Sequence, residues 1–249
     1  MEEQAPASWR LFYVRVTDMR RKVLAAIGAG GKTTALRCLA RKTSKQKVLF
    51  TTTTHIFPLP PSERRVLLED PSPDALLEEL GRPGIVCAGS RAGEGKLGAL
   101  PDGFLKRAIS AAQLTLYEAD GARCRPLKLH RPDEPVVLPE TDLCLVVAGL
   151  SALGRPVGQV IHRYERNPQW HSRPALLVGP EEFLFCVMET VRAAGLPGSR
   201  IRVLLNQADL LPQNGLADQI AEELRKDGVD CRVGSLQKKP EFLLDWILD

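Results

Sequence analysis

Residues 23–34 read Val23-Leu24-Ala25-Ala26-Ile27-Gly28-Ala29-Gly30-Gly31-Lys32-Thr33-Thr34, and the rest of the chain is organised around them. An apolar run ends in three glycines within four residues, followed by one lysine, two hydroxyls and a helix-like segment over 35–45. The pattern predicts a buried strand over 23–27, a phosphate-binding loop and a helix start. Glycines let backbone N–H groups approach a phosphate, a helix N-terminus presents the positive end of its dipole, and a lysine reaches the outer phosphates. The expected nucleotide-binding residues are therefore Gly28, Ala29, Gly30, Gly31, Lys32, Thr33 and Thr34, with Thr33 also placed to reach Mg2+.

In the common spacing G-x-x-x-x-G-K-[ST] the first glycine would fall where Ala26 stands. The contracted form resembles the loop of the ATP-dependent peptidoglycan and folate-polyglutamate ligases, which lack that early glycine. A dinucleotide fingerprint, G-x-G-x-x-G, would need glycine where Thr33 stands. A nucleoside triphosphate loop is the expectation.

Outward from this stretch, the composition sets the class. With 44% hydrophobic and 26% charged residues over 249, the chain predicts one globular α/β domain over 22–249 behind an N-terminal extension of residues 1–21. A net charge of +4 is mild and no block of five or six like charges occurs, so neither nucleic acid nor a membrane surface is an expected partner. The six cysteines, 38, 87, 124, 144, 186 and 231, contain no C-x-x-C pair, which argues against a zinc cluster and a disulfide framework and fits a reducing cytoplasm. Met1-Glu2-Glu3-Gln4 leads into no apolar signal core, and no uncharged apolar run approaches the ~18 residues of a spanning helix. Nothing in the sequence fixes an oligomeric state.

A second strand over 47–50 runs into Thr51-Thr52-Thr53-Thr54-His55. Threonines at the carboxyl end of a strand beside a phosphate loop sit where ligands bind in open α/β sheets, and Thr53 is an expected metal contact. A threonine run also suits a plain edge strand. His55 is a candidate base or phosphate contact, although a lone histidine is more often structural. Past Pro58-Leu59-Pro60-Pro61, a short helix is expected over 73–80, a buried strand over 85–88, a flexible glycine-rich loop over 89–98, and an amphipathic helix over 101–112.

The second constellation is Leu114-Thr115-Leu116-Tyr117-Glu118-Ala119-Asp120-Gly121-Ala122-Arg123. An apolar strand that ends in carboxylates is what a Mg2+-binding strand needs, because a hard cation seeks oxygen ligands beside the triphosphate. Alternate strand residues share a face, so Glu118 and Asp120 point the same way. With Lys32 they are the expected catalytic residues, and with Thr33 and Thr53 the expected metal ligands. The basic segment that follows offers Arg123, Arg125 and Lys128 to complete the phosphate cage or receive an anionic substrate; a solvated loop is the alternative.

Further strands are expected over 143–149, 201–206 and 231–233, and further helices over 181–194, 215–226 and 241–248. The strand over 201–206 ends in Asn206-Gln207-Ala208-Asp209, similar to the guanine-reading N-K-x-D motif of GTPases with Gln207 in place of the lysine. In that reading Asp209 accepts from the base edge and Asn206 ties loops together; otherwise the segment is a turn with Asp209 as a helix cap.

The phosphate loop 28–34, Thr51-Thr52-Thr53-Thr54-His55-Ile56, the run Glu118-Ala119-Asp120-Gly121-Ala122-Arg123 with Arg125-Pro126-Leu127-Lys128, the Glu134-Pro135-Val136 step, residues 149–154 and the turn 206–209 together resemble the YqeC family. The resemblance covers nearly all of the chain from about residue 22 onward. It implies a role as accessory protein to a selenium-dependent molybdenum hydroxylase, in making or inserting its cofactor. The expectation is a doubly wound, mostly parallel α/β sheet of the P-loop NTPase-like three-layer kind that binds Mg2+ and a nucleoside triphosphate, GTP or ATP, and hydrolyses it. An ATP-dependent ligase or kinase acting on a small anionic substrate is the rival enzyme, and a chaperone that holds nucleotide or cofactor without turnover is the rival binding module.

Overall fold

The computed structural model describes residues 21–212, 215–240 and 246–247. The N-terminal extension lies outside the described residues apart from Arg21, as does the C-terminal helix expected over 241–248 apart from Trp246 and Ile247.

The strands are β1 (Lys22–Gly28), β2 (Lys47–Thr52), β3 (His55–Ile56), β4 (Val66–Glu69), β5 (Gly84–Ala92), β6 (Lys96–Gly98), β7 (Leu114–Glu118), β8 (Leu127–Lys128), β9 (Leu143–Gly149), β10 (Ile161–His162), β11 (Ile201–Asn206) and β12 (Cys231–Val233). The helices are α1 (Lys32–Lys42), α2 (Pro73–Leu80), α3 (Asp102–Ala111), α4 (Val157–Val160), α5 (Pro168–Ser172), α6 (Pro180–Ala193) and α7 (Leu216–Lys226). The main sheet runs β12-β11-β9-β1-β7-β2-β5-β6-β3, with β4 on the other side of β5. It is parallel except where β6 pairs antiparallel with β5 and β3. The fold is the expected doubly wound α/β sheet.

Burial on both faces explains why the central strands are almost wholly apolar. In β1 only Lys22 escapes burial, and β9 is buried throughout. Alternate residues feed separate cores. Leu24 and Ala26 join Ala35, Leu36, Leu39 and Ala40 of α1, whereas Val23, Ala25 and Ile27 join Leu76, Leu105, Phe183 and Ile220 from α2, α3, α6 and α7. Helices therefore cover both faces of the sheet, in three layers. Phe183 is fully buried, and its truncation to alanine would cost about 3–5 kcal/mol.

Three local expectations are corrected. Helix α1 stops at Lys42, short of 45, because the Thr43 hydroxyl donates to Leu39 O at 2.8 Å and the chain turns with Gln46 N on Thr43 O. The stretch 89–98 is an ordered hairpin made of the end of β5, a turn at Gly93–Gly95 and β6. Gly89 serves close approach, since a Cβ there would lie 2.6 Å from Gly98 O, and Gly95 takes the turn at φ 69. Strand β4 went unread because Val66-Leu67-Leu68-Glu69 is short and carries no alternation. Among the described residues no helix is long and apolar enough to cross a membrane.

Candidate functional site: the phosphate loop and its buried carboxylates

Strand β1 pairs with β7 on one side and β9 on the other, and the chain departs in opposite directions along the sheet from this pair. The carboxyl end of such a strand is where open α/β sheets bind ligands. The loop there is fixed by backbone geometry that only glycine tolerates. Gly28, Gly30 and Gly31 have φ of 90, 83 and 138. A Cβ on each would meet Val147 O at 2.3 Å, Gly149 N at 2.5 Å and Asn206 Nδ2 at 2.4 Å. Ala29 N donates to Val147 O at 2.8 Å, and Asn206 Nδ2 donates to Gly30 O at 2.8 Å while its Oδ1 accepts from Leu236 N at 3.0 Å. Asn206 thus ties the loop to the chain beyond β12.

Helix α1 opens at Gly31 with no side-chain cap and no acidic residue in its first turn. Its first N–H groups are left for an outside acceptor, and an anion is the natural one. The loop borders a cleft of about 560 Å3 whose lining includes Gly30, Lys32, Thr33, Thr34, His55 and Glu118.

Lys32 is buried, and its Nζ donates to Gly28 O at 2.8 Å and pairs with Asp120 Oδ1 at 2.8 Å and Glu118 Oε1 at 3.5 Å. Burial acts to lower its pKa, but the two carboxylates outweigh burial and raise it. Glu118 ends β7, opposite Ala26 of β1 and Thr52 of β2, and accepts the Thr33 hydroxyl at 2.7 Å. Burial raises the Glu118 pKa against the pull of Lys32 and Thr33.

Asp120 lies past the strand, yet the chain still follows β1, with Ala119 N donating to Ala26 O at 3.0 Å, so the alternation carries both carboxylates to Lys32. The two then differ. Asp120 is fully buried, and its Oδ2 accepts Gly28 N at 2.9 Å, pairs with Lys128 Nζ at 3.1 Å and lies 2.6 Å from His130 Nε2. Burial alone would push its pKa up; Lys32, the His130 bond and Lys128 instead hold it far below the carboxylate range. The expectation that Asp120 shares a metal with Glu118 is revised on this geometry, because Asp120 is fully buried, its Oδ1 is ion-paired with Lys32 and its Oδ2 with Lys128 while accepting from Gly28 N. The pair Thr33 and Glu118, two oxygen donors at the cleft, suits a hard cation.

The other expected residues divide. The Thr53 hydroxyl donates to Val136 O at 2.9 Å while its backbone N donates to Glu118 O at 3.1 Å, and the Thr52 hydroxyl donates to that same backbone oxygen at 2.8 Å. Arg123 lines the cleft and His55 is exposed there. Arg125 borders the same cleft but spends its guanidinium on Gly158 O and Ile161 O, at 3.0 and 2.7 Å. Lys128 is buried, donating to Gly121 O at 2.7 Å, and burial lowers its pKa; it cannot greet a substrate. Asp209 is exposed on a turn and caps no helix, since α7 is capped by Gly215. Gln207, at φ 69, lines the cleft and accepts from Ser151 Oγ at 2.6 Å.

Sequence reasoning missed the network behind Asp120. Glu134 pairs with Lys128 at 3.2 Å and accepts from both terminal nitrogens of the Arg163 guanidinium, one at 3.0 Å. Burial pushes Glu134 up, but Arg163 and Lys128 bring it down to about 2. The signal available was the spacing of Lys128, His130 and Glu134 within a stretch too rich in basic residues to single them out.

The model of one protein family, described as YqeC protein, matches residues 24–165. A curated relative, "Uncharacterized protein YqeC" of Escherichia coli (strain K12), is 37% identical over 161 residues, which is 59% of this chain and 59% of that protein. The chain thus matches less than two thirds of that relative's length. Among solved structures, the crystal structure of HypB from Helicobacter pylori in complex with nickel aligns over 97% of this chain and 89% of that one, with 14% identity and a TM-score of 0.41.

Proposed function

The chain belongs to the YqeC family, whose model spans more than half of it, and from that premise we propose that it binds a nucleoside triphosphate with Mg2+ and hydrolyses it. The observation that carries this reading is one cleft holding an uncapped helix N-terminus, the Lys32 ammonium, and Thr33 bonded to Glu118. Few ligands other than a polyphosphate call for all of these together.

Thr33 and Glu118 would hold the Mg2+, which supplies positive charge to the phosphate oxygens when bound. The rest is done by the chain. Amides of the loop and of the first turn of α1 donate to phosphate oxygens, and Lys32 exchanges some of its carboxylate contacts for phosphate ones. Charge that develops on the transferred phosphoryl group is met by donors fixed before the reaction, which is where most of such catalysis lies. Water adds to the γ-phosphorus, the bond to the bridging oxygen breaks, and the nucleoside diphosphate leaves with that oxygen. Guanine is the base this reading favours, because Asn206 braces the loop as it does in the guanine-reading motif and Asp209 is exposed next to Gln207 at the cleft.

The family resemblance extends the proposal to a client: hydrolysis in the cytoplasm would serve maturation of a selenium-dependent molybdenum hydroxylase or its cofactor, from a single domain that starts at residue 22. Calorimetric titration with Mg2+ plus GTP or ATP tests the site. The wild type is expected to prefer GTP and Lys32→Ala to bind at least about tenfold more weakly, the loss of one charge-assisted contact. Absence of binding by either nucleotide, or unchanged binding by Lys32→Ala, would overturn the site; an Asp209→Asn variant with unaltered preference would overturn only the choice of base.

A further inference from the structure

Among the described residues, four lysine and arginine side chains line the cleft over the phosphate loop: Lys32, Lys96, Arg123 and Arg125. Three are already engaged. Lys32 serves Gly28 O, Asp120 and Glu118; Lys96 pairs with Glu94 at 2.7 Å and lies 5.2 Å from the centre of the Phe57 ring; Arg125 donates to Gly158 O and Ile161 O. Arg123 alone has no hydrogen-bond or ion-pair partner among the described residues. The larger cavity beyond His130, of about 930 Å3, has two of its three arginines matched by carboxylates, Arg131 by Asp133 and Glu134 and Arg192 by Glu189, and no phosphate loop opens into it.

The free side chain is mounted on a braced turn. Residues 121–126 leave the sheet just past Glu118 and Asp120 and are tied to the phosphate loop at both ends. At the start, Gly121 O accepts from Lys128 Nζ at 2.7 Å, and Lys128 pairs with Asp120 Oδ2, which also accepts Gly28 N. At the end, Pro126 O accepts Gly149 N at 2.8 Å and lies 2.9 Å from where a Cβ on Gly30 would stand. Between these anchors Arg125 N closes the turn on Ala122 O at 3.0 Å. Arg123 and Cys124, at the tip, are held at φ 47 and 58. Two successive non-glycine residues in the left-handed region are strained, and such a conformation lasts only where the surroundings impose it, most often at functional sites. The anchors at Gly28 and Gly30 impose it here, and they leave Arg123 in the same cleft as Lys32, Thr33 and Glu118.

We propose that Arg123 is a catalytic residue of the triphosphate hydrolysis proposed above, an inference that rests on that reading. Its guanidinium donates to oxygens of the γ-phosphoryl group and to the oxygen that bridges it to the β-phosphate. In the step itself the water oxygen bonds to the γ-phosphorus, one water proton goes to solvent, and the bond to the bridging oxygen breaks with its electron pair leaving on the nucleoside diphosphate. A guanidinium keeps its proton, so Arg123 supplies charge and a planar fork and moves no proton. Lys32 must give up carboxylate contacts before it can meet a phosphate; Arg123 has none to give up. A donor already free and fixed is the kind that favours the transition state over the bound substrate.

The test is Mg2+-dependent phosphate release from GTP and from ATP by the full chain, with Arg123→Ala and Arg123→Lys beside the wild type. Arg123 is exposed, and both variants are expected to keep the wild-type denaturation midpoint. Arg123→Ala is expected to lower kcat by about 100-fold or more while KM stays within about threefold. Arg123→Lys, a point charge without the fork, is expected to stay within about tenfold of the alanine variant. A second readout is binding of the nucleoside diphosphate with aluminium fluoride, a mimic of the phosphoryl group in transfer. The wild type is expected to form that complex and Arg123→Ala to lose it, with the diphosphate alone bound equally by both. An undiminished kcat in Arg123→Ala, a rise in KM alone, or an aluminium fluoride complex that survives in Arg123→Ala overturns the inference and leaves hydrolysis at the phosphate loop standing. Full kcat in Arg123→Lys overturns the part given to the fork. A wild type that binds nucleotide without releasing phosphate overturns hydrolysis and this inference together, and one that binds neither nucleotide overturns the site as well.

Discussion

The cleft over the phosphate loop and the cavity beyond His130 meet at Asp120, yet they are built from opposite materials. The first is made of backbone: three glycines at positive φ, amides without partners at the start of α1, and contacts so close that a single Cβ would collide with main chain at Val147 or Gly149. The second is made of side chains, with arginines, a histidine and an aromatic brought from 130–131, 166, 185 and 192. Backbone sites are stiff and intolerant of substitution but need few residue types. Side-chain sites tolerate truncation and can be retuned without disturbing the fold. The difference locates rigidity in the molecule: it resides around the loop and in the carboxylate behind it.

The most damaging change on this view is Asp120→Asn, which leaves buried Lys32 and Lys128 without their shared counter-charge. Loss of one partner from a buried ion pair costs about 3–5 kcal/mol, to be read by chemical denaturation; a cost below about 1 kcal/mol would show that the network is dispensable. Next is Gly30→Ala, strained at φ 83 and pressed on Gly149 N at 2.5 Å. It should destabilise the chain by about 1–3 kcal/mol and abolish triphosphate binding, and a stable variant that still binds would break the contrast between the regions.

A smaller, pH-dependent effect comes from His162, buried in β10 beside Lys128 of β8. Burial, then the cations of Arg163, Lys128, Arg123 and Arg125, lower its pKa to about 4 from an ordinary value near 6.5. The folded state thus resists protonation while the unfolded chain accepts it. Stability is full above about pH 6.5 and falls as pH drops towards about 4. His162→Gln should flatten the midpoint of denaturation across that window, and an unchanged slope would assign the acid lability elsewhere. The smallest effect is expected from Arg166→Ala, an exposed residue of the second cavity. Its stability should stay within about 0.5 kcal/mol of wild type, and a larger loss would mean that this wall, too, is structural.

The same contrast governs what could be read before any coordinates. Strand β1, its loop and α1 were legible because a backbone conformation at positive φ admits almost no residue but glycine, so the requirement is written as Gly28, Gly30 and Gly31. Asn206 was legible through the order of motifs, and Glu118 with Asp120 through strand alternation. The hairpin 89–98 is not legible as one because glycine marks looseness and close approach with the same letter, and only the packing of Gly89 against Gly98 O, with Ser90 paired to Gly98, distinguishes them.

By itself, then, the sequence determined the parallel sheet, the glycine-rich loop at its centre and the carboxylates that face Lys32. Those follow from local rules of periodicity, φ and strand alternation, which act within a few residues. Only the tertiary structure decided that Asp120 is an inward counter-ion while Glu118 faces the cleft, that Lys128 is sealed beneath Glu134, and that Arg131, Arg166 and Arg192 line a common wall. A charged side chain has the same letter whether it is solvated or buried. Its partner is chosen by which distant segments the packed sheet and helices bring within a few ångströms, and that choice is a property of the whole core.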